Sequence, residues 1–338
     1  MAFVAVAYPV FLLLLILAFR LIGERFWILG AALYIPRIVF GAPLIPLILG
    51  LAIVGPRRLV WVQGVAALLV VFPLMGLRLG HPREASQGTR PIRVFTQNIF
   101  FGKLDTSLVG EEIRESGAEI VLLQAVPGSH GEKLLPAGEP FAVQYSGEFL
   151  LASRFPIREV YLPPKLAFAN SPERSARFVG YTLETPLGPL DVYSFHPHSV
   201  REGLEELREG GLISDATSGR TPSLWLDARP KVEANMELRR RQVEALAEHI
   251  AHSKHRFIVA GDTNLPDLSW IYARYLAQYQ DAFAEVGFGF GYTFTRRHPF
   301  VRLDRILAGP GLRFVRVTRG RRLDSDHFAV WADVERPS

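Results

Sequence analysis

In the stretch "RFIVAGDTN", residues 256–264, an apolar run from Phe257 to Ala260 leads straight into Gly261-Asp262-Thr263-Asn264. The run is short and contains β-branched residues, the pattern of a buried strand. It delivers a carboxylate and an amide to a strand end, where a rigid scaffold presents reactive groups. A Gly-Asp pair after a strand is commonly only a turn. What gives this one weight is that polar residues recur at the ends of the other strands.

"IRVFTQNIF" (92–100) is a strand that reaches Asn98, and "IVLLQ" (120–124) is a buried strand that ends on Gln124. "ARFVGYTLETPLGPLDVYSFHP" (176–197) reads as two strands joined through a Gly-Pro turn, with His196 near its end. Asp304 lies in "VRLDRILAG" (301–309), and Asp326 and His327 open "DSDHFAVWADV" (324–334). "EFLLASRFPI" (148–157) and "LRFVRVTRG" (312–320) are further strands, the first stopped by Pro156. Between them "TSLVGEEIRESG" (106–117) is a capped helix closed by Gly117. "NMELRRRQVEALAEHI" (235–250) places Met236, Val243, Leu246, Ala247 and Ile250 on one helical face. Mixed strands and helices with hairpin-like connections predict a layered α/β sandwich. The segment 201–234 lacks strong periodicity; Leu212, Ile213, Trp225 and Leu226 would suit an apolar lid, or an ordinary surface excursion.

The first eighty residues differ. "VAVAYPVFLLLLILAF" (4–19), "IVFGAPLIPLILGLAIVG" (38–55) and "LVWVQGVAALLVVFPLMGL" (59–77) are almost wholly apolar. A spanning helix needs about 20 such residues, so three transmembrane helices are expected, the second interrupted by Pro43 and Pro46. No basic region precedes the first stretch and no small-residue cleavage site follows it, which argues for a retained anchor over a signal peptide. "LGHPREASQGTRP" (79–91) is polar and rich in Gly and Pro, a linker composition. The expected division is therefore an anchor at 1–78, a linker at 79–91 and a soluble domain at 92–338.

There is no cysteine, which excludes disulfides and thiolate metal sites. The net charge is +5, with 33 Arg against 5 Lys. Arginine forks suit phosphate, so the excess fits an anionic substrate or membrane surface, and genomic base composition explains it equally well. Arg20, Arg25, Arg37, Arg78, Arg83 and Arg90 outnumber Arg57 and Arg58 on the opposite side of the spans. By the positive-inside rule this leans towards a cytoplasmic domain.

"FTQNIFFG", "VLLQAV", "GDTN", "RLDRIL" and "SDHFAV" occur in this order across essentially all of 92–335, with "ASRFPI" between them. The set resembles the endonuclease/exonuclease/phosphatase superfamily, the fold of DNase I, abasic-site nucleases and neutral sphingomyelinases. The resemblance implies a four-layer α/β sandwich (DNase I-like) preceded by three transmembrane helices. The apolar segments bring it nearest to VanJ-like membrane proteins, teicoplanin-resistance relatives thought to act on undecaprenyl pyrophosphate. That implies a multi-pass protein of the bacterial cell membrane with an extracytoplasmic catalytic domain, against the charge count. "RRRQ", with Arg239 and Gln242 one helical turn apart, is similar to a feature of that subgroup and marks both as substrate-binding.

By the same resemblance Mg²⁺, or Mn²⁺, would be held by Asn98 and the residue at 125, with Asp326 nearby. Asp262 would orient or deprotonate the attacking water, and Asn264 would donate to a phosphoryl oxygen. Asp304 and His327 would form a dyad whose imidazolium stabilises charge on phosphorus, and His196 would contact the phosphate from the other side. Arg174, Arg177 and Arg201 could clamp a diphosphate or form a solvated basic surface. His198 reads as a structural or surface residue.

The motif glutamate is missing: position 125 is alanine. With the rest of the constellation intact, Ala125 reads as an engineered replacement of glutamate, made to trap a substrate or silence the enzyme; the alternative is a lipid-binding pseudoenzyme. The expected activity is a metal-dependent hydrolase of phosphoric esters or pyrophosphates acting on a phosphorylated lipid, or else a sphingomyelinase-like diesterase. Nucleic acid is not an expected partner, because no aromatic-basic segment offers base stacking.

Overall fold

The structure, a computed structural model, describes residues 1–100, 106–128, 134–168, 171–200, 223–295, 297–321 and 325–337, without the side chains of 106, 107, 171 and 223–228. Arg201, Leu212 and Ile213 lie outside the described residues, as do the side chains of Trp225 and Leu226. The chain divides into two compact units.

The larger unit comprises Leu79–Ser199, Glu237–Asn264 and Tyr275–Ser338. Its strands are β1 (Ile92–Asn98), β2 (Ile120–Gln124), β3 (Ala142–Ser146), β4 (Phe149–Ser153), β5 (Ile157–Tyr161), β6 (Phe178–Thr185), β7 (Gly188–Phe195), β8 (Arg256–Asp262), β9 (Gln280–Asp281), β10 (Asp304–Ala308), β11 (Arg313–Arg319) and β12 (Val330–Glu335). They form two six-stranded sheets, in the orders β11-β12-β1-β2-β4-β3 and β9-β10-β8-β7-β6-β5.

Successive side chains of a strand point to opposite faces. In β1, Ile92 and Val94 join Ile120, Leu122 and Leu151 against Val179, Tyr181, Val192, Ile258 and Ile306 of the second sheet, so the sheets pack face to face. The alternate residue Phe95, with Val121 and Leu123, packs on Val109 and Ile113. These belong to the helix Thr106–Ser116. On the outer side of the second sheet, Tyr161 stacks on His249 at 4.0 Å, and Tyr193 meets the same imidazole edge-on. His249 belongs to the helix Ser223–Ala251. The result is the expected four-layer α/β sandwich.

Pairing fixes which strand ends meet. β1 and β2 are parallel with Asn98 opposite Gln124, and β7 and β8 are parallel with Ser194 opposite Ala260. β8 and β10 are antiparallel with Asp262 directly opposite Asp304. Gly261 permits this: its φ is 149°, and a Cβ there would lie 2.0 Å from the Phe195 carbonyl oxygen.

The stretch read as a linker is fastened down. The buried Glu335 carboxylate accepts from the Ser86 N–H, the Ser86 and Thr89 hydroxyls and Arg313, and the Arg83 N–H bonds the Val315 carbonyl.

The smaller unit comprises Met1–Arg78, Val200–Met236 and Leu265–Arg274. Two of its helical stretches, Ala2–Leu21 of 20 residues and Arg57–Leu74 of 18, are long and apolar enough to cross a membrane. The middle segment expected to be a third span is not: it is a 3₁₀ turn, Arg37–Gly41, followed by the ten-residue helix Leu44–Ile53. Pro43 and Pro46 supply no N–H and start a new helix, leaving it about 15 Å long, half a hydrocarbon core. The buried Glu24, after the first helix, accepts from the Ser269 hydroxyl and the Trp270 N–H. The ten residues after Asn264 thus fold with the N-terminal segments, which a boundary at 78 does not anticipate.

Candidate active site

Asp262 ends β8 and Asp304 begins β10, so two carboxylates face each other across a ladder, a destabilising juxtaposition unless something positive intervenes. His327 supplies it. Its Nδ1 lies 2.8 Å from Asp304 Oδ2 and its Nε2 3.6 Å from Asp262 Oδ2. Burial pulls the imidazole pKa down, but the charges of Asp304 and Asp262 prevail and raise it to about 9. His327 is therefore an imidazolium at neutral pH.

Ser325 sets this ring in place: its hydroxyl accepts the His327 N–H and donates to the Asn98 carbonyl, tying the last turn to the end of β1. Burial would raise the Asp262 carboxyl. The charges of His327 and His196, with the Asn264 N–H and the Asn98 amide, hold it below its ordinary value. Asp304 moves the other way, raised by burial. Two adjacent carboxyls driven apart in this way separate the roles of charge carrier and proton partner.

On the other side of Asp262 the Asn98 amide donates to its Oδ2 at 3.0 Å and lies 3.3 Å from His196 Nε2, while Asn98 Oδ1 accepts the Phe100 N–H. The Arg177 guanidinium reaches His196 Nδ1 at 3.1 Å and makes a two-point pair with Glu148, at 2.8 and 2.7 Å. Burial pushes the Glu148 carboxyl up, yet His196 and Arg177 hold it below its ordinary value, so it is ionised. Glu148 immediately precedes β4, and its signal in the sequence is no more than a lone acid before the apolar run Phe149–Ala152.

Asn264 is left-handed, with φ 49°. Its N–H donates to Asp262 Oδ1 and its side-chain amide to the Pro197 carbonyl, so it braces the site as well as facing it. Gln242 bonds the His198 N–H and the Ser175 carbonyl, and the fully buried Arg239 reaches the Asn264 carbonyl at 3.5 Å. Both therefore sit among main-chain groups that shape the loops. Arg174 is exposed at the end of a strand, Ser171–Arg174, that forms a short hairpin with Leu166–Phe168. Asp326 is half-buried beside His327. Ala125 is 1% exposed and left-handed, with φ 53°.

Asp262, Asp304 and His327 each offer a ligand atom within 4.8 Å of the others. Asn98 and Asp326 add oxygen donors and His196 a ring nitrogen 3.7 Å from Asp262 Oδ2, and the carboxylate oxygens of such a set suit a hard divalent cation.

The sequence from 95 to 327 matches the profile of the Endonuclease/Exonuclease/phosphatase family. The chain belongs to that family. Among solved structures it is similar to the endonuclease/exonuclease/phosphatase of Beutenbergia cavernae DSM 12333, at 18% identity and TM-score 0.50, over 74% of this chain and 72% of that one. A family protein from Bacteroides thetaiotaomicron is similar at 12% identity and TM-score 0.50, over 74% of this chain and 99% of its own. A functionally unknown conserved protein from Enterococcus faecalis V583 is similar at 13% identity and TM-score 0.50, over 72% and 99%. These identities speak for the fold alone. A comparison with curated proteins found no match. Membership of the endonuclease/exonuclease/phosphatase family makes the chain a phosphoesterase- or nuclease-type hydrolase.

The His327 charge has a measurable consequence. A raised histidine pKa contributes stability that is full below the unfolded value, near 6.5, and is lost as pH rises through about 9. In chelator, the His327 ring resonances are expected to titrate near 9, and Asp304→Asn to move that midpoint down. A midpoint at or below 6.5 in the unmodified chain would contradict the ion cluster.

Proposed function

We propose that this chain is a membrane-held, divalent-metal-dependent phosphoesterase that hydrolyses a phosphorylated lipid, with undecaprenyl pyrophosphate the leading substrate and inorganic phosphate a product. The observation that carries the chemistry is the buried His327 imidazolium between the Asp304 and Asp262 carboxylates. A phosphoryl group beside it would meet positive charge from His327 and Arg177 and donors from His196 and Asn264. Asp262 Oδ2, already an acceptor, would take a hydrogen bond from the attacking water and align it. Such a site works by positioning and electrostatics more than by covalent chemistry.

Mg²⁺ or Mn²⁺ fits the oxygen donors of Asn98, Asp326 and the acids around them, and when bound it would neutralise charge on the phosphoryl oxygens. Position 125 contributes no ligand.

The lipid half of the reading rests on the smaller unit. Its first helix buries a stripe of Ala5, Tyr8, Pro9, Leu12 and Phe19, leaving Phe3, Phe11, Leu14 and Leu21 exposed; Trp61, Leu68 and Phe72 are likewise uncovered in the second long stretch. Contiguous apolar faces of this kind mark a membrane or partner surface. We place the catalytic unit on the extracytoplasmic side, following the membrane subgroup that the sequence resembles. Ala125 favours one rival reading, a lipid-binding protein without turnover. The test is the product released by the full chain in lipid vesicles: inorganic phosphate from undecaprenyl pyrophosphate, a phosphorylated headgroup if a diester is the substrate, and neither if the chain only binds.

A further inference from the structure

On the outer face of the second sheet a cavity of about 630 Å³ is lined by β5, β6, β7 and the last turns of the helix Ser223–Ala251. Its volume is that of a site for a small ligand, about 300–1,000 Å³. None of Asn98, Asp262, Asp304 and His327 lines it. Strand register lays its floor. β5 and β6 set Glu159 opposite Thr182 and Tyr161 opposite Gly180, and β6 and β7 set Thr182 opposite Asp191 and Gly180 opposite Tyr193. Val179, Tyr181, Leu190 and Val192 turn inward to the core, so their alternates turn outward. Two rows therefore cross the sheet side by side, about 7 Å apart: a polar one, Glu159, Thr182 and Asp191, and an aromatic one, Tyr161, Gly180 and Tyr193.

Gly180 makes room in the aromatic row. A Cβ there would lie 2.7 Å from Tyr193 Cε1 and 3.4 Å from Tyr161 Cβ, so the missing side chain lets the Tyr193 ring lie across the strand. Against this row the His249 ring stacks on Tyr161 and abuts Phe178 and Tyr193, at 5.8 and 5.4 Å between centroids. Burial, with His252 nearby, holds the His249 imidazole below its ordinary pKa despite Asp191, so it adds no charge at neutral pH. Apart from its histidines, the lining carries three acids, Glu159, Asp191 and Glu248, against one base, Lys254, in a chain of net charge +5. Asp191 is held in place: it accepts from the Thr182 and Ser253 hydroxyls at 2.8 and 2.6 Å and lies 3.0 Å from His255 Nδ1. Glu159 and Glu248 are exposed and make no ion pair among the described residues.

We infer that this cavity binds a small organic cation, its ammonium group held at Thr182 between Glu159 and Asp191 and its apolar or aromatic body lying against Tyr161 and His249. The polar row decides the sign of the charge. Thr182 gives its hydroxyl proton to Asp191 Oδ1, so towards the cavity it can only accept. Asp191 spends three of about four lone-pair positions on its neighbours, and Glu159 has all of its own free. Every group in the row is then an acceptor, which suits an ammonium, a donor with no lone pair. A carboxylate in the same place would meet like charge, and an alcohol would forgo the ion pairs. The inference stands apart from the phosphoesterase reading, because none of these residues belongs to the Asp262–Asp304–His327 cluster.

The test is titration of the full chain in detergent with phenethylamine, read from the ring resonances of His249, which His249→Gln assigns by their loss. The amine is expected to shift them and to saturate. Phenethyl alcohol and phenylacetate, the same body with a neutral and a negative head, are expected to bind at least about tenfold more weakly. Glu159→Gln is expected to weaken the amine about tenfold, and Asp262→Asn to leave its binding unchanged. If Glu159→Gln does not fold by circular dichroism, Glu248→Gln replaces it, with weakened binding again expected. The absence of a saturable shift, or phenethyl alcohol or phenylacetate binding as tightly as the amine, would overturn the inference. So would full affinity in Glu159→Gln, or loss of binding in Asp262→Asn, which would put the amine on the catalytic carboxylates instead.

Discussion

Replacing Asp262 by asparagine is expected to lower phosphoester hydrolysis by about 10³-fold or more while leaving the fold in place. The size follows from what the carboxylate does. In the proposed reaction it is the acceptor that would align a water, a role whose loss costs roughly 10²–10⁴-fold, and its charge also raises the His327 pKa. The asparagine is nearly isosteric and can still accept the Asn264 N–H, so thermal unfolding should move little by comparison. The kinetic signature is a fall in kcat and kcat/KM together, the mark of a contact made in the transition state. A loss of less than tenfold would remove Asp262 from the chemistry.

The second large effect is on stability and lies away from the reaction. Asp281, 5% exposed, receives Arg302 at 2.7 Å and Arg305 at 2.8 Å and caps the helix Ala282–Val286 through the Phe283 and Ala284 N–H groups. Burial pushes its carboxyl up, but Arg302 and Arg305 beside it win and hold it far below the usual range. Asp281→Ala removes the carboxylate that two buried guanidinium groups share, and breaking such a cluster costs about 3–5 kcal/mol. The expected result is a marked fall in the unfolding midpoint, measured by denaturant titration. Because the native pKa is depressed, the Asp281 contribution is full above the ordinary carboxylate range and is lost as pH falls towards the depressed value. The variant should therefore show a shallower loss of stability in acid. A change below 1 kcal/mol would show that the cluster is dispensable.

Why were some of these groups legible in the sequence and others not? Asn98, Asp262, Asp304 and His327 sit at ends of apolar runs, and strand periodicity alone brings such ends to one edge of a sandwich. Glu148 and Ser325 matter through partners 29 residues and 227 residues away, Arg177 and the Asn98 carbonyl, and no local pattern encodes those meetings. "RLDRIL" drew notice for Asp304, yet its flanking Arg302 and Arg305 point to Asp281, a pairing set by where β9 enters the sheet. Helical spacing correctly placed Arg239 and Gln242 one turn apart, but not what they touch: the Asn264 carbonyl, the His198 N–H and the Ser175 carbonyl. The 79–91 stretch looked like a linker from composition, and Glu335, at the far end of the chain, holds it. Pro43 and Pro46 were visible from the start; their force as helix starters, not mere interruptions, shortened the middle apolar segment.

The most direct measurement is inorganic phosphate release from undecaprenyl pyrophosphate in vesicles by the full chain, with Mg²⁺ and with chelator, beside Asp262→Asn. The account predicts release with Mg²⁺, none with chelator, and a loss of about three orders of magnitude in Asp262→Asn. Release that persists in chelator, or is equal in Asp262→Asn, would contradict it.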